Sequence, residues 1–353
     1  MKSINSLFAI LISLNLVQLH GFRIAILTQR IISLSSTATF QYSQNIKETQ
    51  LVLDTGITAQ VLSSRQSAAP KTPLVFIHGS FHAAWCWAEY YFEYFSSLNY
   101  PVVALSLRGT GGSFAGDGVK KVKIEEHVSD IRSFLTKVPE ILKTREDPVI
   151  ISHSFGGVAV MKLLELYPSE AARFSGIVTM CSVPPSGNGP MTWRFIQRSL
   201  RNSWKITIGF VLKRCIVDDN ICRELFFGGS KKILPNGKIE DHGVSDDDIH
   251  RYQQYFERDT AAILDVFSLT KVLPSKMAIN GKSPSLSYLP PRLVVGATRD
   301  FIVDREGVEE TAHYYGLDKA LFVDSPHDVM LGKNWVKGAE AIRKFVQESC
   351  IRK

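Results

Sequence analysis

The sequence predicts an α/β protein: a mostly parallel central sheet flanked by helices, with a helical cap inserted after the sixth strand. Three observations predict it. Short continuous apolar runs such as Leu74-Val75-Phe76-Ile77 and Val102-Val103-Ala104-Leu105 read as strands buried on both faces, as parallel pairing requires. Segments with helical spacing separate these runs, so consecutive strands are joined by crossovers. Between residues 186 and 285 that alternation stops, and it resumes at Arg292.

Length and composition fit one large domain with an insertion, or two domains. The chain has 353 residues, 45% of them hydrophobic, enough for a sizeable core. The formal charge of +7 is unevenly spread. Lys2, Arg23, Arg30 and Lys47 lie in residues 1–47, which hold no acid, and the remainder nets only +3. The cluster Lys120-Lys121-Val122-Lys123 reads as solvated surface. No nucleic-acid footprint is present, so neither nucleic acid nor an obligate protein partner is expected. The cysteines (Cys86, Cys181, Cys215, Cys222 and Cys350) are scattered, without CxxC or a zinc-like Cys/His spacing. Free thiols and no metal are expected, with a Cys215–Cys222 pair left open for an oxidising compartment.

Residues 1–47 are set apart as a targeting presequence or disordered leader. Lys2 and the apolar run 7–17 have signal-peptide form and are short for a membrane span. The acid-free Ser, Thr and Gln stretch that follows has transit-peptide composition. The succession, with Phe22 opening its second part, is similar to the bipartite plastid presequence of algae with secondary plastids. Plastid targeting is therefore expected, with secretory, mitochondrial and anchor readings open.

The first part of the core, 48–185, opens with a hairpin over 49–62 that turns near Asp54-Thr55-Gly56. A buried strand over 73–77 follows, then an aromatic-rich helix over 89–98 and a strand over 101–107. That strand enters the loop Arg108-Gly109-Thr110-Gly111-Gly112-Ser113, which lacks the Lys of a P-loop and a GxGxxG frame, so no phosphate site or cofactor is expected. Residues 124–138 carry helical spacing, with Val128, Ile131, Phe134 and Leu135 on one side. Next come a strand over 149–151, a helix over 158–164 and a strand over 174–181. In the cap, 186–285, helices are expected over 191–213, 246–256 and 259–272. The second part of the core, 286–353, supplies strands over 292–297 and 320–323 and helices over 305–315 and 334–348.

Ser154 stands where the strand over 149–151 turns sharply into a helix. The bend needs small neighbours, and Ser152 and Gly156 lie two residues either side. This is a nucleophile elbow with Ser in place of the usual first Gly. A serine hydroxyl needs a general base and a carboxylate to hold that base. On an α/β sheet both belong on loops beyond the carboxyl ends of strands. His327, in Ser325-Pro326-His327-Asp328, fits the base, and Asp300, in Thr298-Arg299-Asp300, fits the acid. Asp304 is the alternative acid, although an N-cap suits it, and Asp328 is expected to point elsewhere. His20, His127, His242, His250 and His313 lack such a placement. For the oxyanion, one N–H comes from Phe155 and the second from the loop over 78–87, where Gly79 allows close approach and Ser80 or Phe81 donates. Ser80 is the preferred donor, and His78 is expected to order the loop. Phe81 and His82 are candidate substrate-binding residues.

Carried by Gly79, Ser154, Asp300 and His327 in this order, the chain from about Gln50 to Ile351 resembles the α/β-hydrolase superfamily. Loop 78–87 is similar to the HG-x-x-H-x-x-W-x-W loop of the branch holding plant methylesterases and hydroxynitrile lyases. The resemblance implies a serine hydrolase that cleaves a small-molecule ester through an acyl-enzyme. Ser at the elbow departs from the epoxide-hydrolase and dehalogenase branches, which carry Asp there. The aromatic cap residues Phe195, Trp204, Phe210, Phe226 and Phe227 point to an apolar acyl substrate, a lipid among the candidates, although a helical cap also needs them to pack. A lyase or C–C-cleaving enzyme with the same triad, and a non-catalytic ligand-binding homologue, are the alternatives.

Overall fold

A computed structural model describes residues 42–350, except 65–70, 200–204, 207, 211, 230–231, 234–238 and 241–242. Nearly all of the expected leader, and Trp204, lie outside the described residues.

Among the described residues the main sheet has eight strands. They are β1 (Ile46–Val52), β2 (Thr58–Ser64), β3 (Leu74–Ile77), β4 (Val102–Leu105), β5 (Val149–His153), β6 (Gly176–Met180), β7 (Arg292–Arg299) and β8 (Leu321–Pro326). Their order is β1-β2-β4-β3-β5-β6-β7-β8. β1 and β2 pair antiparallel, β2 joins β4 antiparallel, and all later pairs are parallel. Every residue of β3, β4, β5 and β6 is buried. Each large apolar side chain buried there contributes about 1.5–3 kcal/mol relative to exposure. The expected start at residue 48 falls inside β1, because the ladder already pairs Ile46 with Ser64 and Lys47 with Ser63.

Helices α1 (Tyr91–Ser97), α2 (Ile124–Ile141) and α3 (Phe155–Leu166) connect the first six strands. Helices α4 (Asn188–Arg198), α5 (Asp219–Phe226) and α6 (Asp246–Arg258) belong to the excursion between β6 and β7. Helices α7 (Arg305–Tyr314) and α8 (Trp335–Ser349) follow β7 and β8. α2 shows how one face is made: Ile124, Val128, Ile131, Phe134 and Val138 recur at helical spacing and are buried.

Two expected cap helices differ. The helix over 191–213 is interrupted: α4 ends at Arg198, Ser199 is extended (φ −164°, ψ 109°), and residues 205–206 and 208–210 are helical again. The helix over 259–272 does not form. The Asp259 carboxylate accepts from the Trp85 indole N–H (2.8 Å) and the Gly111 backbone N–H (2.7 Å), which pulls the chain onto the core. Ile263–Leu264 then pairs in parallel with Lys121–Val122, and a single turn, Val266–Leu269, follows. The lysine cluster is thus exposed in its side chains but anchors the cap through its backbone. All five cysteines are buried and free, so Cys215 and Cys222 are not bonded to each other. No helix among the described residues is long and apolar enough to cross a membrane.

Candidate active site

β5 ends at His153, and Ser154 turns the chain into α3 with φ 53° and ψ −125°. A left-handed non-glycine residue costs about 1–3 kcal/mol and persists only where its surroundings fix it. Here they do. The Ser154 N–H donates to Met180 O (3.1 Å), and its carbonyl accepts from Gly157 N–H (3.0 Å) and the Ser182 hydroxyl (3.2 Å). Gly156 is required by space, since a Cβ there would lie 2.3 Å from His78 O. Ser152, the unusual elbow residue, is fully buried and donates its hydroxyl to Val178 O (3.3 Å).

Three loops past the sheet's carboxyl edge meet at Ser154. His327 Nδ1 lies 2.8 Å from Asp300 Oδ2, and its Nε2 lies 3.3 Å from Ser154 Oγ. A carboxylate only accepts, so Nδ1 carries the proton and Nε2 is left to accept from the serine hydroxyl. Asp300 Oδ1 accepts from the N–H groups of Ile302 (2.7 Å) and Val303 (2.9 Å), which fixes the carboxylate. Burial alone would push the His327 imidazole down. The adjoining Asp300 charge and hydrogen bond, with Asp328, outweigh it and hold the ring above its ordinary range. Asp304 does not reach the histidine. It caps α7 by accepting from Gly307 N–H (3.1 Å) and binds Arg194 at 2.7 Å and Arg198 at 3.1 Å.

The second half of the site is the loop after β3. A Cβ on Gly79 would lie 2.6 Å from Ser154 Cβ, so the two backbones touch. Phe155 is the first residue of α3, where a helix leaves its N–H groups unpaired. Among the described residues no hydrogen bond takes the N–H of Ser80 or Phe81. His78 is wholly buried. Its Nδ1 donates to Gly79 O (2.7 Å), its Nε2 accepts from Leu107 N–H (2.9 Å), and burial pushes it down to about 3. It orders the loop. Phe81 has φ 69° and packs against Phe210, Phe226 and Phe256 at ring distances of 5.2, 5.9 and 6.2 Å. Phe226 and Phe227 are buried, while Phe195 and Phe210 are half-buried.

His82 does not present a free polar edge to a pocket. Only 1% exposed, it spends both ring nitrogens inside the protein: Nδ1 on Ser80 O (2.8 Å) and Nε2 on Asp328 Oδ2 (2.9 Å). Asp328 is not the carboxylate that holds His327, as expected; it turns onto His82.

Two further residues escaped the sequence reading. His153 donates Nε2–H to His327 O (3.0 Å) and sets its ring 4.7 Å from the His327 ring, bracing the loop that carries the base. Its position as the last residue of the elbow strand was the available signal. The Cys181 thiol lies beside the Asp300 carboxylate, and burial, then the Asp300 charge, push it well above its ordinary range. Two sets of donor atoms, His153/His327/Asp328 and Cys181/Asp300/His327, each fall within 4.8 Å. Both include His327, whose nitrogens are engaged by Asp300 and Ser154.

Residues 74–333 match the Alpha/beta hydrolase family. The chain is similar to Methyl jasmonate esterase 1 of Vitis vinifera, 31% identical over 96 residues, which is 27% of this chain. It spans only about a third (34%) of that relative's length. In fold it is similar to Epoxide Hydrolase A from Mycobacterium thermoresistibile (TM-score 0.60, 16% identity, 87% of this chain and 100% of that one). It is also similar to a thermophilic esterase from Thermogutta terrifontis (TM-score 0.56, 16% identity, 86% of this chain and 100% of that one).

Proposed function

Since the chain belongs to the alpha/beta hydrolase family, we propose that it is a serine hydrolase that cleaves a carboxylic ester of a small molecule through an acyl-enzyme. One observation carries the reading: the unbroken line Asp300 Oδ2–His327 Nδ1, His327 Nε2–Ser154 Oγ, at 2.8 and 3.3 Å, in a buried site.

Ser154 Oγ attacks the ester carbonyl while His327 Nε2 takes its proton. Asp300 keeps the imidazole in the right tautomer and stabilises the imidazolium that forms. The negative charge on the carbonyl oxygen falls to backbone N–H groups at Phe155 and in the Gly79–Phe81 turn. His327 then protonates the departing alkoxide, and water activated by the same histidine releases the acid. The 3.3 Å Ser154–His327 separation is at the loose end of hydrogen bonding, and tightening is expected as the transition state forms.

The similarity to a methyl jasmonate esterase supports an ester bond. The similar epoxide hydrolase does not redirect the reading, because the elbow here carries a serine hydroxyl rather than the carboxylate expected of that branch. The aromatic cluster of Phe81, Phe210, Phe226 and Phe256 supports an apolar acyl or alcohol group. Fluorophosphonate labelling of wild type and Ser154→Ala tests the nucleophile: label only on the wild type is expected, and equal labelling ends the assignment. p-Nitrophenyl esters of graded chain length then measure the acyl preference.

A further inference from the structure

We propose that the outer face of the cap at Ile263, Val266 and Phe267, with Lys121, Lys123 and Lys271 beside them, seats this protein on a lipid bilayer that carries anionic headgroups. The inference goes beyond the serine-hydrolase reading and does not depend on it.

The chain builds this surface in two steps. Ile263–Leu264 pairs in parallel with Lys121–Val122, and Ile263 stands opposite Lys121. Alternate residues of a strand share a face. Val122 is buried and Leu264 half-buried, while Lys121, Lys123 and Ile263 are exposed. A single helical turn, Val266–Leu269, comes next, started by Asp265, whose carboxylate accepts from Ser268 N–H (3.2 Å). Leu269 is the residue of this turn that enters the core, which leaves Val266 exposed and Phe267 71% exposed. Lys271 Nζ lies 4.7 Å from the centre of the Phe267 ring. A single exposed apolar side chain is ordinary. Three within five residues, held by a strand pair and a capped turn, form a patch of the kind that marks an interaction site.

The neighbouring charges select the occupant. Among the described residues Lys121, Lys123 and Lys271 form no ion pair, whereas Arg194, Arg198 and Arg251 of the cap are all paired. Asp265 is half-buried at its own turn, and the exposed acids Asp117 and Glu125 lie outside residues 119–123 and 263–271. An ammonium on a long stem stays at headgroup level while the apolar group beside it enters the acyl boundary, which is how Lys271 stands to Phe267. Anionic headgroups then add attraction to apolar burial. A second copy fits less well, because a two-fold contact lays the patch, lysines included, on itself. Partners read by a groove need a concavity, and Phe267 projects instead. The same cap lays Phe256 against Phe81, in the loop that touches Ser154. Docking here therefore brings the bilayer to the cap side of the site, where an apolar ester dissolved in lipid is within reach.

The test is co-sedimentation of the full chain with vesicles of phosphatidylcholine alone and of phosphatidylcholine mixed equally with phosphatidylglycerol. Wild type is expected to bind the mixed vesicles, and less at high salt. A lysine near an anionic surface contributes about fivefold, so combining Lys121→Gln, Lys123→Gln and Lys271→Gln should weaken binding to the mixed vesicles about 10²-fold and leave phosphatidylcholine binding unchanged. Phe267→Ser removes the inserted ring and should weaken binding to both by about 10–100-fold. The substituted side chains are exposed, so Tm should stay near wild type. Ser154→Ala should bind as wild type does, and a chain that fluorophosphonate fails to label loses the hydrolase reading but not this one. Wild type left in the supernatant overturns the proposal. So do variants that bind like wild type, since the membrane contact then lies elsewhere in the chain. A loss in the lysine variant with none in Phe267→Ser reduces the contact to charge alone and overturns insertion. Without vesicle binding, a dimer that Phe267→Ser dissociates gives the face to a second copy, and retention on polyglutamate gives it to an acidic protein; either result overturns the bilayer.

Discussion

Replacing Gly79 with alanine tests the site where two backbones meet. The new Cβ would lie 2.6 Å from Ser154 Cβ, 3.1 Å from His153 O and 3.3 Å from Ser154 Oγ. Carbon atoms rest at about 3.5–4.0 Å, so the contact must open by about 1 Å. The elbow side cannot yield. Ser154 is held by Met180 O and the Ser182 hydroxyl, and β3 is registered on β5 through Ile77 and Ser152. The displacement therefore falls on residues 79–82, the loop proposed to supply the second oxyanion donor. A misplacement of about 1 Å in a reacting geometry costs about 10²-fold in rate, and overpacking costs about 1–3 kcal/mol of stability. Ester turnover and thermal unfolding are measured together. A kcat near wild type at any Tm refutes the reasoning. Gly189→Ala, in α4, is the control: nothing lies within 4 Å of its new Cβ, so kcat and Tm should stay near wild type.

Asp300→Asn should lower kcat by about 10⁴-fold. Asp304→Ala should instead cost about 1 kcal/mol through the lost cap and leave kcat within a few-fold, and the reverse pattern in steady-state kinetics would reassign the acid. His327 must be neutral to accept the serine proton and is held above its ordinary 6.5, so kcat/KM should rise with pH and level off only above that value. A pH–rate profile with its midpoint at or below 6.5 contradicts this. Burial depresses His78 to about 3 and His127 to about 4, so the unfolded chain binds protons below 6.5 that the native state refuses. Their contribution is complete above about pH 6.5 and is lost as pH falls, at about 1.4 kcal/mol per unit for each group. His327 acts oppositely, its contribution declining as pH rises through its raised value. A urea midpoint that stays flat between pH 7 and 4 would disprove the acid-side loss.

The sheet was legible because its buried strands are unbroken apolar runs, and the triad because the elbow dictates where its partners must lie. The cap was less so. Residues 259–272 contain helical spacing, but Asp259 is claimed by Trp85 and Gly111, more than a hundred residues earlier in the chain. No local pattern announces such a bond. The same holds for Asp328. Beside the base it reads as a bystander, and only the folded chain brings it to His82, 246 positions away. Asp304, the alternative acid in the sequence, pairs with Arg194 and Arg198 of the cap, while Asp300 faces His327, and neither arginine contact shows in a local pattern.

The pairing of β6 with β7 joins Ile177 to Arg292 and Val178 to Leu293. About 110 residues lie between these strands in the chain, and a ribosome adds about 5–20 residues per second. While the protein is being made, β6 therefore waits several seconds with one apolar edge unpaired. An open edge of that kind recruits other strands, so the interval before β7 emerges leaves this chain exposed to aggregation.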